Sequence, residues 1–244
     1  DYTSSVYGDN NILTSVGNPV GLFYGYKTAG VFATDAEAKA AGKDGYLYME
    51  DNAGLRNDFK AGDVHFIDQN NDGKISELDK VVIGDPNPDI YGNIFATINY
   101  KNLTLTMGWN YSLGNDVYNY QRSILNSGST FYNQQVAEVA HWRYEGQQTD
   151  LPRLAYGDPM GNNRFSDRWI EDGSYLRLKT LNLSYKVPVP GSWTWLQGLT
   201  VWAQANSLLT FAKDLGSGPE FSVGDGGLYQ GIDCGNIAQG RSFQ

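Results

Sequence analysis

The sequence is poor in cysteine, histidine and basic residues. A single cysteine, Cys234, excludes a framework of disulfides within the chain. The only two histidines, His65 and His141, lie in no Cys/His cluster with zinc-site spacing, so we expect ordinary surface or loop residues. With 18 basic against 27 acidic residues, the formal charge of -9 argues against nucleic acid as a partner.

Long apolar runs are also missing. No segment approaches the roughly 18 consecutive apolar residues of a transmembrane helix, so a helical membrane protein is excluded. The chain opens on Asp1, without a methionine or a signal peptide. We therefore expect either a processed chain or a piece of a longer one.

Aromatic residues and glycine are plentiful. Aromatic residues make up 14% of the chain, with 17 tyrosines and 29 glycines, whereas charged residues reach only 18%. Extended strands joined by polar loops suit this mixture better than a helical core does.

Alternating apolar and polar residues predict two strand pairs. In the first pair, Ile94–Tyr100 and Leu103–Trp109 alternate on either side of a two-residue turn, Lys101-Asn102. In the second pair, residues 180–187 and 199–206 alternate in the same way. The join between these two strands is short and contains Pro188, Pro190, Trp193 and Trp195.

The alternation fits two architectures, a soluble sandwich and a membrane barrel. The loop lengths favour the barrel, because short joins alternate with long polar stretches at 33–90, 114–172 and 212–238. In a barrel these three stretches are extracellular loops, and Gly21–Phe32 is a further strand that leads outward to the first of them. Trp193 and Trp195 then either anchor the inner membrane interface or pack in a turn.

The stretch "DQNNDGKISELD" has the spacing of an EF-hand calcium loop. Oxygen donors recur at alternate positions, and Gly73 occupies the sixth position, where the chain turns sharply. We expect a structural Ca²⁺ that fixes a loop, or else a metal-free turn rich in Asx residues. The predicted ligands are Asp68, Asn70, Asp72, the carbonyl of Lys74, Ser76 and Asp79.

Other chemistry has little support. The carboxylates of Glu171 and Asp172 are adjacent, but neighbours on a strand point to opposite faces and make a poor glycosidase pair. Two loop histidines do not assemble a Ser/His/Asp triad, so we predict no enzyme activity. Loop aromatics are candidates either for stacking on sugars or for loop packing: Tyr118, Tyr120, Phe131, Tyr132 and Trp142.

Four blocks in order carry a family resemblance. They are "VGNPVGLFYGYKTAGVF", "AGDVHFIDQNNDGKISELDKVVIGDPNPDIYG", "DRWIEDGSYLRLKTLNLSYKVP" and "LTVWAQANSLLTF". Together they resemble the carboxyl-terminal part of SusC/RagA-type TonB-dependent outer-membrane transporters. The resemblance makes residues 1–244 a carboxyl-terminal portion of one transmembrane antiparallel β-barrel of about 22 strands.

The resemblance also implies a function and partners. It implies import of oligosaccharides or peptides across the outer membrane of a Gram-negative bacterium, together with a SusD-like surface lipoprotein. TonB would act through amino-terminal segments that this sequence lacks. The sequence also accounts for only about five strands of such a barrel and the start of a sixth. The alternative is a secreted β-rich binding module with a dockerin-like calcium loop, although dockerins normally carry two such loops.

Overall fold

The computed structural model describes residues 2–7, 11–51, 53–192, 195–213, 226–235, 237 and 240–244. Strands dominate the regular structure of these residues, and the helices are short. No helix in the described part of the chain is long and apolar enough to cross a membrane. The prediction of an all-β chain is confirmed at this level.

The elements follow one another in a fixed order. The described strands are β1 (Tyr2–Ser4), β2 (Ile12–Thr14), β3 (Leu22–Gly25), β4 (Thr28–Val31), β5 (Tyr48–Glu50), β6 (Arg56–Asp58), β7 (Val64–Phe66), β8 (Val81–Gly84), β9 (Ile90–Tyr100), β10 (Leu103–Leu113), β11 (Asp116–Asn119), β12 (Ile170–Asp172), β13 (Tyr175–Val187), β14 (Leu199–Ala212), β15 (Ile232–Asp233) and β16 (Ser242–Phe243). The helices are α1 (Asp35–Ala40) and α2 (Tyr120–Leu125), with short 3₁₀ turns at Glu77–Asp79, Val136–Ala140 and Asp167–Trp169.

The four long strands and the two-residue β16 form one antiparallel sheet in the order β16-β14-β13-β10-β9. The predicted hairpin is confirmed, because β9 and β10 have 11 residues each and only Lys101 and Asn102 separate them. Lys101 adopts a left-handed backbone with φ 53°, which such a tight turn requires. The second predicted pair is confirmed as β13 and β14, joined by residues 188–198.

A bulge in the long sheet changes which residues of β13 share a face. The register against β10 shifts near Lys179, so that Leu178 faces Trp109 while Leu181 faces Met107. Without the extra residue, the side chains beyond it would switch to the opposite face. The bulge therefore keeps leucines on one face along the whole of β13.

The prediction that Gly21–Phe32 is a strand of this sheet is wrong. The segment folds as β3, within the sheet β1-β2-β3-β8, and as β4, which pairs with β7. Leu22 and Phe23 are adjacent and both buried, so both faces of β3 are covered, as expected inside a packed body. The long sheet consequently has four long strands and the two-residue β16.

Most of the other described residues, apart from the join at 188–198 and the last residues 240–244, fold into a body, here called the loop body, with two apolar cores. Phe32, Phe59 and Phe66 centre the first core, and Phe23 and Trp169 centre the second. Helix α1 begins after Thr34, whose side chain accepts a hydrogen bond from the Glu37 amide and caps the helix. Buried aromatic rings of this size supply much of the apolar area that holds such a body together.

Stretches 33–90 and 114–172 pack together as parts of this loop body. Asp63 is fully buried and accepts hydrogen bonds from Nε (2.9 Å) and Nη2 (3.0 Å) of Arg153. The amide nitrogen of Asn162 also donates to Asp63 at 3.0 Å. A buried carboxylate needs such partners, so these contacts fix the two stretches against each other.

Candidate functional site

One face of the long sheet is continuously apolar. Registered rows run across its four long strands, such as Ile98–Leu105–Leu183–Ala203. A second row is Ile94–Trp109–Leu178–Leu209. Many of these side chains are open to the surroundings, including Ile94 at 55% and Val201 at 57%. A water-soluble protein rarely leaves an apolar surface of this extent uncovered.

The opposite face of the same sheet is mainly polar. The row next to the first apolar row is Thr97–Thr106–Asn182–Gln204. Its side chains bond one another, with the Thr97 and Thr106 hydroxyls 3.5 Å apart. Only a few rings interrupt this face, Tyr91, Phe95 and Trp202 being the most exposed of them. The sheet is therefore amphipathic from end to end.

The edges of the long sheet carry open hydrogen-bonding groups. Among the described strands, β9 pairs only with β10, and the outer side of β14 is paired only over Gln204–Asn206, by β16 and Gln244. Open edges of long strands invite further strands, because each unpaired backbone group in an apolar medium costs several kcal/mol, of order 2–7. Both edges of the described sheet are thus open to pairing with further strands.

The predicted calcium loop is folded tightly around its own side chains. Asp68 accepts the amide of Gly73 at 2.6 Å, and Asn70 accepts that of Asp72 at 2.9 Å. Asp79 is fully buried and accepts the amides of Gln69 (3.0 Å) and Ser76 (2.7 Å). Gly73 has φ +86°, the left-handed conformation expected at the sixth position.

The donor chemistry of this loop suits a hard cation. Its predicted ligands offer three carboxylates, an amide oxygen, a hydroxyl and a carbonyl, which are oxygen donors of the kind Ca²⁺ takes. No group of three or more His, Cys, Asp or Glu side chains among the described residues is gathered to hold a metal ion. Calcium binding accordingly stays a prediction.

Beside this loop lies a cleft of about 700 Å³, here called the Tyr26 cleft. Residues 74–77 of the predicted calcium loop form one wall, and residues 163–165 form another. Tyr26 lies between them, its hydroxyl 3.3 Å from Glu77, and burial raises the pKa of that hydroxyl. The volume falls within the range of small-molecule sites, roughly 300–1,000 Å³. The predictions from the sequence did not include this cleft, because its walls come from distant parts of the chain.

The loop aromatics divide between packing and exposure. Tyr118 is buried against Phe165 with ring centres 4.6 Å apart, and burial raises its pKa to about 12. Tyr118 therefore packs inside the loop body, the second of the two alternatives, and is not open for stacking on a sugar. Tyr120 stacks on Tyr7 at 4.3 Å, whereas Phe131 is 91% exposed.

The remaining predicted residues fall as follows. Glu171 pairs with Arg122 at 2.7 Å and Asp172 with Lys213 at 3.0 Å, so these carboxylates do not form a catalytic pair. Trp195 is 78% exposed, and Trp193 lies outside the described residues. Most of the 212–238 stretch also lies outside them.

Comparison with known proteins gives a consistent relationship. No protein-family model matches the chain. TonB-dependent receptor P26 of Formosa agariphila is 33% identical over 240 residues, which cover 96% of this chain and 22% of that protein. TonB-dependent receptor P3 of the same organism is 31% identical over 234 residues, covering 93% of this chain and 22% of the relative. The chain is homologous to TonB-dependent receptors.

Solved structures agree with this homology in fold. The RagAB peptide importer in its "closed-closed" state matches with a TM-score of 0.65 and 22% identity, over 96% of this chain and 23% of the matched chain. The "open-open" state matches with a TM-score of 0.61 at 20% identity, over 96% of this chain and 22% of the matched chain. The predicted resemblance to SusC/RagA-type TonB-dependent receptors is confirmed. The chain spans about a fifth of the receptors it matches.

Proposed function

We propose that this chain is part of an outer-membrane TonB-dependent importer, in which the long sheet is a section of a transmembrane β-barrel. The apolar face of the sheet carries this proposal. Its strands of 11 to 14 residues meet the roughly 9–11 residues that a tilted strand needs to cross a bilayer. The apolar face then contacts lipid, and the polar face lines the lumen.

The sheet's geometry orients the chain in this proposal. The loop body connects to the ends of β9, β10, β13 and β14 away from the tight turn at Lys101. Outer-membrane barrels have short periplasmic turns and long extracellular loops. The loop body, with stretches 33–90, 114–172 and 212–238, is accordingly extracellular, and residues 188–198 are periplasmic.

The proposal includes a surface partner, as the resemblance implies. Exposed apolar side chains cluster between residues 131 and 156, where Phe131 stacks on Tyr156 at 4.9 Å. Val136 is 85% exposed and Val139 is 69% exposed on a nearby 3₁₀ turn. A SusD-like lipoprotein is the partner we expect on this surface, because exposed apolar patches mark protein interfaces. Contact with TonB is expected of segments other than these 244 residues.

Fractionation and uptake test the proposal. The full-length protein that contains this chain should partition with the outer membrane and need detergent for extraction. Cells that express it should take up labelled oligosaccharides or peptides only when TonB is present, and a protonophore should stop the uptake. A protein that stays soluble without detergent would instead support the secreted binding module.

We also propose one structural Ca²⁺ in the loop from Asp68 to Asp79, because its oxygen donors and its glycine turn suit that ion. The ion would fix the loop and would carry out no chemistry. Adding CaCl₂ to EGTA-treated protein should raise the melting temperature, and Asp72→Asn should remove the effect. Asp44→Asn changes an exposed carboxylate beside the loop and should leave the effect intact. An identical melting curve with and without calcium would contradict the site.

A further inference from the structure

We infer that the Tyr26 cleft binds the carboxylate group of a small ligand through Arg164. Two side chains of the cleft wall carry the inference, the guanidinium of Arg164 and the amide of Asn163. The inference concerns the loop body alone and holds whether or not the long sheet lies in a membrane.

Arg164 is the cation of this cleft that lacks a carboxylate partner. Lys74 pairs with Glu50 at 2.6 Å, and Lys80 pairs with Glu77 at 2.7 Å. No ion pair to Arg164 occurs within the part of the chain that the structure describes. Its guanidinium lies instead over the rings of Tyr26, 5.6 Å from the ring centre, and Phe66, at 5.9 Å.

The guanidinium of Arg164 is also held in place by its neighbours. Nη2 lies 2.8 Å from the sulfur of Met49, which is a weak acceptor. Gly161 lies so close that a methyl group there would meet Nε of Arg164. A guanidinium positioned in this way offers a fixed pair of donors that matches the two oxygens of a carboxylate.

Asn163 supplies a second unused group in the same wall. Its Oδ1 atom is buried and has no hydrogen-bond partner. A buried polar atom without a partner is unusual in a native protein and needs an explanation. An amide next to an arginine can bond the group that carries the carboxylate, whether a peptide N–H or a sugar hydroxyl.

The acidic residues that line the cleft have partners other than Arg164. Glu50 and Glu77 are neutralised by the lysines with which they pair. Asp51 accepts the amides of Ala53 and Leu55, both at 2.9 Å, within its own turn. Asp51 keeps its negative charge but is held in its own turn, so Arg164 is the cation of the described cleft wall that has no carboxylate paired with it.

Two ligands share this chemistry, a peptide carboxyl terminus and a uronic acid. The test uses the full-length protein in detergent and isothermal titration calorimetry. The probes are N-acetyl-trialanine, its carboxyl-terminal amide, digalacturonic acid and the matched neutral disaccharide α-1,4-galactobiose. We expect at least one acid to bind about tenfold more tightly than its neutral counterpart. The acid that shows this preference identifies the source of the carboxylate.

Variants then assign the preference to the cleft. Arg164→Gln and Asn163→Asp should each abolish it, the first because it removes the cation and the second because a carboxylate in the same wall repels the carboxylate of the ligand. Arg143→Gln should retain it, since Arg143 is exposed and bonds the carbonyl of Val139 outside the cleft. Melting curves show that each variant is folded, and Asn163→Asp keeps the shape of the side chain should Arg164→Gln fail to fold. The inference is overturned if no acid binds in preference to its neutral counterpart, or if a folded Arg164→Gln or Asn163→Asp variant keeps the preference.

Discussion

An arginine placed on either face of β9 distinguishes a lipid-facing sheet from a water-exposed one. Ile94 lies one residue from the middle of this strand, on the apolar face, and is 55% exposed. Asn93 is its neighbour on the polar face and is exposed as well. Arginine at the midplane of the lipid face of a barrel costs about 2–4 kcal/mol. The ratio of unfolded to folded protein should therefore rise roughly 30-fold to 900-fold in Ile94→Arg.

The assay is equilibrium unfolding by denaturant of the full-length protein in lipid vesicles. Asn93→Arg is the matched control, and it should change the free energy of unfolding by less than about 1 kcal/mol because its side chain faces the lumen. In a water-exposed sheet both sites are open, and both substitutions should stay within about 0.5 kcal/mol of the parent. Equal and small effects of the two variants would refute the assignment of the apolar face to lipid.

Two further predictions concern the loop body. Arg153→Ala should lower the free energy of unfolding by about 3–5 kcal/mol, because it leaves the buried Asp63 without its charge partner. Lys213→Ala, which breaks an exposed pair with Asp172, should cost no more than about 1 kcal/mol, and equal losses in thermal melts would contradict this argument. Glu138 is buried with an unpartnered Oε1, and burial raises its pKa above the ordinary 4.5, although Arg168 and His141 act in the opposite direction. The protonated form stabilises the fold below pH 4.5, and this contribution is lost as the pH rises through the folded-state pKa. Glu138→Gln should therefore raise the melting temperature near neutral pH and leave it unchanged well below pH 4.5, and a lower melting temperature near neutral pH would show that the carboxylate is needed.

The long strands were predictable because their pattern is strictly local. Alternation along β9 and β10 and a two-residue turn fix a hairpin without help from the rest of the chain. The bulge at Lys179 was not predictable in this way, because one extra residue leaves leucines on both even and odd positions. Only the register against β10 and β14 shows that these leucines share a face.

The loop body escaped prediction because its contacts are long-range. Gly21–Phe32 has the composition of a barrel strand, yet its Phe23 packs against Tyr118 and Phe165, far away in the sequence. The partners of Asp63 likewise come from residues 153 and 162. The unpaired guanidinium of Arg164 becomes visible only once folding shows which carboxylates have other partners. Local spacing indicated the calcium-type loop but did not indicate the cleft beside it.

Lipid contact along β9 decides whether the long sheet spans a membrane. Single cysteines at successive positions from Asn93 to Ile98, with Cys234 replaced by serine, would carry a fluorophore in the full-length protein reconstituted with brominated lipids. A sheet with one face in lipid should show strong quenching at Ile94, Ala96 and Ile98 and weak quenching at the alternate positions, because side chains of a strand point to opposite faces. Uniform quenching along β9, or none at any position, would contradict a sheet with one face in the membrane.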